Sequence, residues 1–347
     1  MRRFSRSALA GLLAVTAMSM PVAAQDKLIA AFSTVGFAFL PPLVAKAMNL
    51  YATENIDADI VIASGDTKAL AALIGGGADV GFLSAPTVIR ARENGIGVIM
   101  VGYCLAQYPT NVVVSGKWAK EHGISANSSV EEKAKALKGA TLGITAPGSG
   151  SDLIMRFLAK KGELSPDRDM TLSNLGSSDT IAAAFAQGRI DGFALSAPVA
   201  ENAVKREGAV MIFNLAAGEV KDLDGFLYTA ITFRQEMLDR NPQLAVRFLR
   251  TQQKALDAIR DDATTEKARD AVWNMYWPKV DKALFDEIWA GWKYAWPKTV
   301  EIPQSSLKQV TDFTNLLEAK KVDPVAAAKS FTNIYAKEAV TSISGRK

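Results

Sequence analysis

Cysteine and histidine are nearly absent from this chain of 347 residues, which contains only Cys104 and His122. One cysteine excludes an internal disulfide, and one histidine without a cysteine cluster argues against a transition-metal site. After residue 24, no stretch reaches the roughly 18 consecutive apolar residues of a membrane-spanning helix. No long basic tract is present either, which argues against nucleic acid as a partner. We therefore expect no metal, no cofactor and no nucleic-acid partner.

The first 24 residues have the pattern of a secretory signal peptide. Three arginines within the first six residues precede an apolar run from Ala8 to Met20, and small residues at 22–24 offer a cleavage site. An N-terminal membrane anchor is the alternative, but the run is short for a span of about 20 residues. Cleavage after Ala24 would lower the net charge from +4 to near +1, because the segment carries three arginines and no acidic residue. The pattern predicts a soluble periplasmic protein.

A repeat organises the rest of the chain. Leu83-Ser84-Ala85-Pro86 recurs as Leu195-Ser196-Ala197-Pro198, and weaker echoes at 64–67 and 77–79 recur at 177–180 and 188–191. The copies follow their originals in the same order and at a nearly constant distance along the chain. Because this distance is too long for a solenoid period, it indicates two lobes of similar build. Equivalent strand-to-helix turns would then face each other across a cleft.

Hydrophobic patterning supports this duplication. Short apolar runs alternate with helical stripes in both halves, with strands predicted at 27–32, 59–63 and 79–83 and again at 141–145, 170–175 and 191–195. Further strands are predicted at 98–103, 111–114, 210–215 and 226–233, and helices from Asn241 to the end. The β-α-β-α-β-α order requires parallel strands with right-handed crossovers. The fold class is therefore α/β, with a helical C-terminal region.

Ligands of open α/β sheets bind beyond the carboxyl ends of the parallel strands. Here nearly every such turn carries Ser, Thr or Gly and leads into a helix, whose N-terminus offers free N–H groups to an anion. Phe37 and Tyr108, with Phe39, would add an apolar wall, although core packing is the alternative for the two Phe. The predicted ligand-binding residues are Ser33, Thr34, Gly36, Phe37, Ser64, Gly65, Ser84, Ala85, Tyr108, Ser149, Gly150, Ser151, Ser177, Ser178, Ser196 and Ala197.

Capping offers an alternative role for several of these residues. The loop at 147–152 lacks the third glycine of a dinucleotide fingerprint and the Gly-Lys of a Walker A loop, so a tight turn with a helix cap competes with ligand contact. Ser84 and Ser196 could likewise cap the helices that begin near Pro86 and Pro198. Asp66 and Asp179 are predicted to be N-caps. If one of them pointed into the cleft, it would favour a ligand that carries an amine.

Catalytic patterns are missing. His122 lies in a polar stretch that resembles a solvated helix end, and Ser149 is not in a G-x-S-x-G elbow. We therefore predict that the chain is not an enzyme. The number of serines at helix starts keeps one alternative open, an exported serine-dependent hydrolase or transferase. A sensor subunit that presents its ligand to a membrane receptor is a second alternative.

Five loose motifs in order, at 54–56, 75–81, 137–143, 148–151 and 186–192, carry a family resemblance. Over residues 27 to 235 the chain resembles the NitT/TauT group of ABC-transporter substrate-binding proteins, which bind nitrate, sulfonates or taurine (the SsuA/THI5-like, NMT1-like superfamily). The superfamily also includes a pyrimidine synthase of thiamine biosynthesis, whose histidine and cysteine-rich motif are not matched here.

The resemblance implies a type II periplasmic-binding fold with two hinge crossovers, near 109–112 and 213–216. The first lobe would comprise residues 25–110 and 216–347, and the second lobe would comprise residues 111–215. The implied function is capture of a small organic anion by hinge closure, for example a sulfonate, taurine, a nitrate-like ion or an aromatic acid. Its implied partner is an ABC permease in the inner membrane. We expect a monomer.

Overall fold

The computed structural model describes residues 24–317 and 320–345. Positions 1–23 of the predicted signal peptide therefore lie outside the described residues. Two five-stranded sheets form the framework. The first contains β1 (Asp26–Phe32), β2 (Ile56–Ile62), β3 (Val80–Ser84), β4 (Val98–Tyr103) and β10 (Thr229–Arg234), in the order β2-β1-β3-β10-β4. The second contains β5 (Thr110–Val114), β6 (Thr141–Ile144), β7 (Thr171–Asn174), β8 (Gly192–Ser196) and β9 (Val210–Phe213), in the order β7-β6-β8-β5-β9.

The two sheets share one topology. In each, the first three strands of the module pair in parallel, and one strand donated from elsewhere in the chain pairs antiparallel beside the third. That strand is β10 in the first sheet and β5 in the second. The chain passes to the second sheet between Tyr103 and Thr110 and returns between Phe213 and Thr229. The lobe boundaries predicted at 110/111 and 215/216 stay a prediction. The first falls at the start of β5 and the second in the return connection.

Helices flank both sheets and form the C-terminal region, as predicted. We call each sheet with its packed helices a lobe, and place the C-terminal helices with the first lobe because α10 and α11 contact α1 and α15 contacts β4. The helices are α1 (Leu40–Ala47), α2 (Asp66–Ile74), α3 (Ala85–Glu93), α4 (Gly116–Glu121), α5 (Val130–Lys135), α6 (Gly150–Lys161), α7 (Ser178–Ala186), α8 (Val199–Glu207), α9 (Gln235–Arg240), α10 (Pro242–Arg260), α11 (Thr265–Tyr276), α12 (Lys282–Gly291), α13 (Gln304–Leu317), α14 (Pro324–Ala328) and α15 (Ile334–Ser344).

Hydrogen bonds confirm the internal repeat. Asp79 Oδ2 accepts from the backbone N–H of Ile29 at 2.8 Å, and Asp191 Oδ2 accepts from that of Thr141 at 2.8 Å. In both bonds the two partners are 50 residues apart along the chain. Each carboxylate therefore joins the start of the third strand to the first strand of its sheet, far from the strands' carboxyl ends. Asp79 and Asp191 therefore have a structural role.

The predicted capping roles of Asp66 and Asp179 are wrong. Helix α2 begins after Gly65 without a side-chain cap, and helix α7 is capped by Ser177, whose Oγ accepts from Thr180 N. Asp66 is the first residue inside its helix, and its carboxylate turns instead toward the end of β3. Sequence alone does not distinguish a capping aspartate from one placed a residue later, because both follow a strand and precede an apolar stripe.

The C-terminal aromatic residues pack mainly as a core layer. Phe37 lies at the centre of this layer, with its ring 5.3 to 5.5 Å from those of Trp292, Phe285 and Trp277. Helix α10 packs against α1 and α15, and Arg250 and Lys254 on α10 both bind the buried carboxylate of Glu54. Because these contacts cross between distant parts of the chain, they fix the C-terminal helices on the first lobe.

Within the described residues, no helix combines the length and apolarity needed to cross a lipid bilayer.

Candidate functional site

The carboxyl ends of strands from both sheets meet at one small polar space, which we call the inner cavity. Its volume is about 30 Å³, roughly the space of one or two water molecules. The first lobe and the second contribute comparable numbers of residues to it, and most of the side chains are hydroxylic. The lining residues are Ser33, Thr34, Ala38, Phe39, Asp66, Thr110, Thr145, Ser149, Gly150, Ser151, Ala194, Leu195, Ser196 and Tyr228.

Three hydroxyl groups form a triangle on the second-lobe side of the inner cavity. Thr145 Oγ1 lies 3.0 Å from both Ser149 Oγ and Ser151 Oγ, and the two serine oxygens are 2.9 Å apart. All three side chains are buried. Ser149 also occupies the N-cap position of α6, and its Oγ accepts from Asp152 N at 3.5 Å. The turn at 147–152 therefore caps a helix and lines the inner cavity at once.

Among the described residues that line the inner cavity, Asp66 is the only charged one. It is 6% exposed, and its Oδ2 accepts from Ser84 N at 3.0 Å and from Thr87 Oγ1 at 3.3 Å. Its Oδ1 forms no hydrogen bond within the described part of the chain and is not fully enclosed. Beside it, Tyr228 is half-buried, and its burial together with the Asp66 charge raises the pKa of the Tyr228 phenol well above its usual value.

The two lobes touch directly around the inner cavity. Phe37 N donates to Ala197 O at 2.9 Å, and Thr34 Oγ1 lies 3.1 Å from Ser178 Oγ. Tyr108 Oη donates to Gly150 O at 2.6 Å. These bonds join the connections and turns of one sheet to those of the other, so the structure describes a conformation in which the lobes are in contact.

A second and larger space, which we call the outer chamber, begins at Ser33 and Thr34. Its volume is about 660 Å³. Apolar side chains from both lobes form much of its wall, including Phe185 and Phe193 from the second lobe and Trp277 from the end of α11. Asp179, Arg206 and Glu207 are its charged lining residues. The cleft between the lobes therefore divides into a compact polar part and a wider, partly aromatic part.

Half of the predicted ligand-binding residues line these two spaces. Ser33 and Thr34 line both, Ser149, Gly150, Ser151 and Ser196 line the inner cavity, and Ser177 and Ser178 line the outer chamber. The other predicted ligand-binding residues line neither space. They are Gly36, Phe37, Ser64, Gly65, Ser84, Ala85, Tyr108 and Ala197.

The predicted ligand-binding residues that line neither space make other contacts. Ser84 Oγ lies 2.9 Å from Thr87 Oγ1, behind the carboxylate of Asp66, while the Phe37 side chain belongs to the aromatic core. Gly36 and Ala197 lie in the contact between lobes. Gly65 N donates to Ser33 O, Ala85 N donates to Tyr228 O, and Ser64 has a positive φ of 55° next to Gly65. Ser84 and Ser196 therefore do not lie symmetrically about the cavity.

Four polar lining residues of the inner cavity were not predicted as ligand contacts. Thr145 and Thr110 could have been found, because Thr145 follows a strand and Thr110 lies in a predicted crossover. Asp66 was considered and assigned to capping instead. Tyr228 carried no signal, because it precedes β10, a strand whose position beside β3 depends on tertiary structure.

Neither His122 nor Cys104, the side chains that catalysis or redox chemistry could have used, lines the cleft. His122 is exposed, stacks on Trp118 at 4.0 Å and has its Nδ1 3.0 Å from Trp118 O. Cys104 is buried, and burial raises the pKa of its thiol well above 9. Among the residues that the structure describes, no group of three or more His, Cys, Asp or Glu could hold a metal ion.

This architecture, with two α/β lobes of one topology and a polar cleft between them, is that of periplasmic-binding-protein folds. Residues 31–272 match the NMT1-like family, and the chain belongs to that family. The resemblance to the NitT/TauT group and the predicted fold class are confirmed. No curated protein sequence matches the chain at a significant level.

Solved structures show the same fold at low identity. A protein from Bordetella bronchiseptica RB50 is 23% identical with a TM-score of 0.77, covering 92% of this chain and 98% of its own. The periplasmic nitrate-binding protein NrtA from Synechocystis PCC 6803 is 13% identical with a TM-score of 0.74, covering 92% and 89%. The alkanesulfonate-binding protein SsuA from Xanthomonas axonopodis pv. citri, bound to MOPS, is 21% identical with a TM-score of 0.66, covering 89% and 98%.

Proposed function

We propose that this chain is the solute-binding component of an ABC importer, located in the periplasm, and that it holds a small organic solute between its lobes. The observation that carries the proposal is the polar inner cavity, to which the strand ends of both sheets contribute. The nitrate- and alkanesulfonate-binding proteins with the same fold support it. Its partner would be a permease of the inner membrane.

We propose that the solute is captured by hinge closure. The chain crosses between the sheets twice, between Tyr103 and Thr110 and between Phe213 and Thr229. Two short crossings let the lobes rotate about one line while each sheet stays rigid. The contacts of Phe37 with Ala197 and of Thr34 with Ser178 would form on closure and break on opening.

An organic anion is the ligand that the helix N-termini favour. Helix α6 begins at Gly150 on the inner cavity and α7 at Ser178 on the outer chamber, so free N–H groups and the positive helix dipole face the cleft. Within the part of the chain that the structure describes, no Lys or Arg lines the inner cavity to pair with an anion, and Arg206 lines the outer chamber. We therefore place the anionic group of a sulfonate or aromatic acid toward the α7 end of the cleft.

A melting-temperature screen tests the proposal. The purified mature chain is heated with sulfonates, nitrate, aromatic acids, amino acids and pyrimidines, each well above its expected Kd. A true ligand at 100 Kd adds about 2.7 kcal/mol to the free energy of unfolding. We expect saturable binding without turnover, and no shift across the whole panel would overturn the proposal. Turnover that Ser149→Ala abolishes, with binding intact, would favour a serine-dependent enzyme instead.

A further inference from the structure

The two repeats place equivalent carboxylates in different surroundings. Asp66 and Asp179 occupy matching positions, at the starts of α2 and α7. Asp179 is exposed at the outer chamber, whereas Asp66 is buried at the inner cavity. Within the described residues Asp66 forms no ion pair, although a buried carboxylate is costly unless a positive group or hydrogen bonds compensate it.

The groups around Asp66 suit a positively charged nitrogen. Its Oδ1 accepts no hydrogen bond within the described part of the chain, and hydroxyl oxygens of Thr34 and Ser196 line the same cavity. An ammonium group has three donors and no acceptor, so a carboxylate with neighbouring hydroxyl oxygens matches it. Phe39 and Tyr228 also line the cavity, and neither brings a positive charge that would compete with an ammonium group for Asp66.

The two spaces differ in volume, so they would hold different parts of the ligand. A cavity of about 30 Å³ admits a compact group such as an ammonium, but not a ring or a chain. The outer chamber, at about 660 Å³, has room for the rest of an organic molecule. Its walls of Phe185, Phe193 and Trp277 favour an apolar or aromatic body. Ser33 and Thr34 line both spaces, so the two spaces adjoin, and the ligand we infer would extend from the first into the second.

We infer that the solute carries a protonated amino group, which Asp66 binds in the inner cavity, on an apolar or aromatic body that occupies the outer chamber. This inference rests on the proposed solute-binding function and names Asp66 as the residue that determines specificity. An anionic group elsewhere on the molecule is compatible with it, since Arg206 and the start of α7 lie at the outer chamber.

Matched pairs of compounds that differ in one amino group test the inference. The pairs are 3-amino-3-phenylpropanoate with 3-phenylpropanoate, 2-phenylethylamine with 2-phenylethanol, and 2-aminoethanesulfonate with ethanesulfonate. Binding is measured by calorimetry on the wild type, Asp66→Asn and Asp57→Asn. Asparagine keeps a side-chain oxygen for Ser84 N, and circular dichroism checks that each variant folds. Asp57→Asn is the control because it removes an exposed carboxylate of the same lobe that lines neither space.

We expect the tightest ligand to carry an amine and its amine-free partner to bind the wild type at least tenfold more weakly. Asp66→Asn should abolish this preference, while Asp57→Asn changes affinity less than about twofold. Tight binding of amine-free compounds alone, or an amine preference that survives Asp66→Asn, would overturn the inference and leave the proposed function standing. Binding of no compound, in this set or in the wider screen, would overturn both. The comparison within each pair needs only the wild type, so it holds even if Asp66→Asn does not fold.

Discussion

Gly36 of the first lobe faces Ser196 of the second so closely that a methyl group on the glycine would overlap the serine Oγ, well inside 3.0 Å. The φ of Gly36 is −178°, an extended conformation that alanine also adopts, so a substitution here causes no backbone strain. Gly36→Ala should therefore fold normally and resist closure. We expect at least tenfold weaker ligand binding and a larger radius of gyration in small-angle X-ray scattering.

Two further variants separate an effect on lobe closure from a general effect on folding. Gly77→Ala places a methyl at an ordinary 3.6 Å from Ala72 O and should change nothing. Ser196→Ala in the Gly36→Ala background removes the overlapping oxygen and should restore most of the affinity lost relative to Ser196→Ala alone. If Gly36→Ala binds as tightly as the wild type, these lobe surfaces do not meet in the bound state.

The surroundings of Glu201, on α8, predict that the stability of the protein depends on pH. Its Oε1 accepts from Asn111 Nδ2 at 2.9 Å, and its Oε2 is buried without a partner among the described residues. Burial raises the pKa of Glu201 from 4.5 to about 7, against the smaller effects of hydrogen bonds from its own backbone and Asn111. Protonated Glu201 therefore makes its full contribution to the stability of the folded protein below pH 4.5. This contribution is lost as the pH rises through 7. Its size is about 3 kcal/mol.

Replacing Glu201 with glutamine isolates this effect. The free energy of unfolding of the wild type, measured relative to Glu201→Gln, should fall by about 3 kcal/mol between pH 4 and pH 8. Lys205 and Glu287 line the same groove beside Glu201, so the difference between the two proteins is the informative quantity. Glu207→Gln, an exposed carboxyl on the same helix, should leave the pH profile unchanged. Parallel profiles for the wild type and Glu201→Gln would contradict the prediction.

Phe37 should matter for stability more than for recognition. Its ring is fully buried among Trp277, Phe285 and Trp292, so Phe37→Ala should destabilise the protein by about 3–5 kcal/mol. Phe37→Leu fills much of the space and should cost far less. Chemical denaturation measures both, and calorimetry should find the ligand affinity of Phe37→Leu within about twofold of the wild type. A stable Phe37→Leu with lost binding would instead support the sequence-based assignment of Phe37 as a ligand contact.

Tyr108 joins the connection between the sheets to the start of α6. Its hydroxyl donates to Gly150 O at 2.6 Å, while its ring packs 4.8 Å from Tyr228 and 5.1 Å from Phe226. Tyr108→Phe keeps the packing and leaves a buried carbonyl without its donor, which should cost about 1 kcal/mol of unfolding free energy or about fivefold in ligand affinity. Tyr335→Phe is the matched control, since the Tyr335 hydroxyl forms no hydrogen bond within the described residues. Equal loss in both variants would exclude a specific role for the Tyr108 bond.

Local sequence patterns predicted the framework well because they are set by local physics. The two modules, their parallel strands and the placement of Ser33, Ser149 and Ser196 at strand ends all follow from hydrophobic period and turn residues. The errors at boundaries were small: β2 begins at Ile56 instead of 59, and β10 at Thr229 instead of 226. The repeat helped, because each copy constrained the interpretation of the other.

Side-chain direction and long-range packing could not be predicted in this way. Whether Asp66 caps its helix or turns toward Ser84 depends on a strand 18 residues further along the chain. The position of Trp277 on the outer chamber depends on how α11 docks against α1, which no local pattern encodes. Tyr228 reaches the inner cavity because β10 inserts beside β3. Tertiary contacts therefore set the positions of Asp66, Trp277 and Tyr228, whereas Thr110 and Thr145 had a local signal.

The outer chamber is built from four separate parts of the chain, at 33–35, at 62, at 177–207 and at 275–280. No fragment shorter than residues 33–280 contains all of it, so the chamber takes shape only once the last of these parts has docked. Loop closure over such separations is slow compared with the formation of either module alone. A newly made chain would therefore acquire two folded modules before it acquired any affinity for its solute.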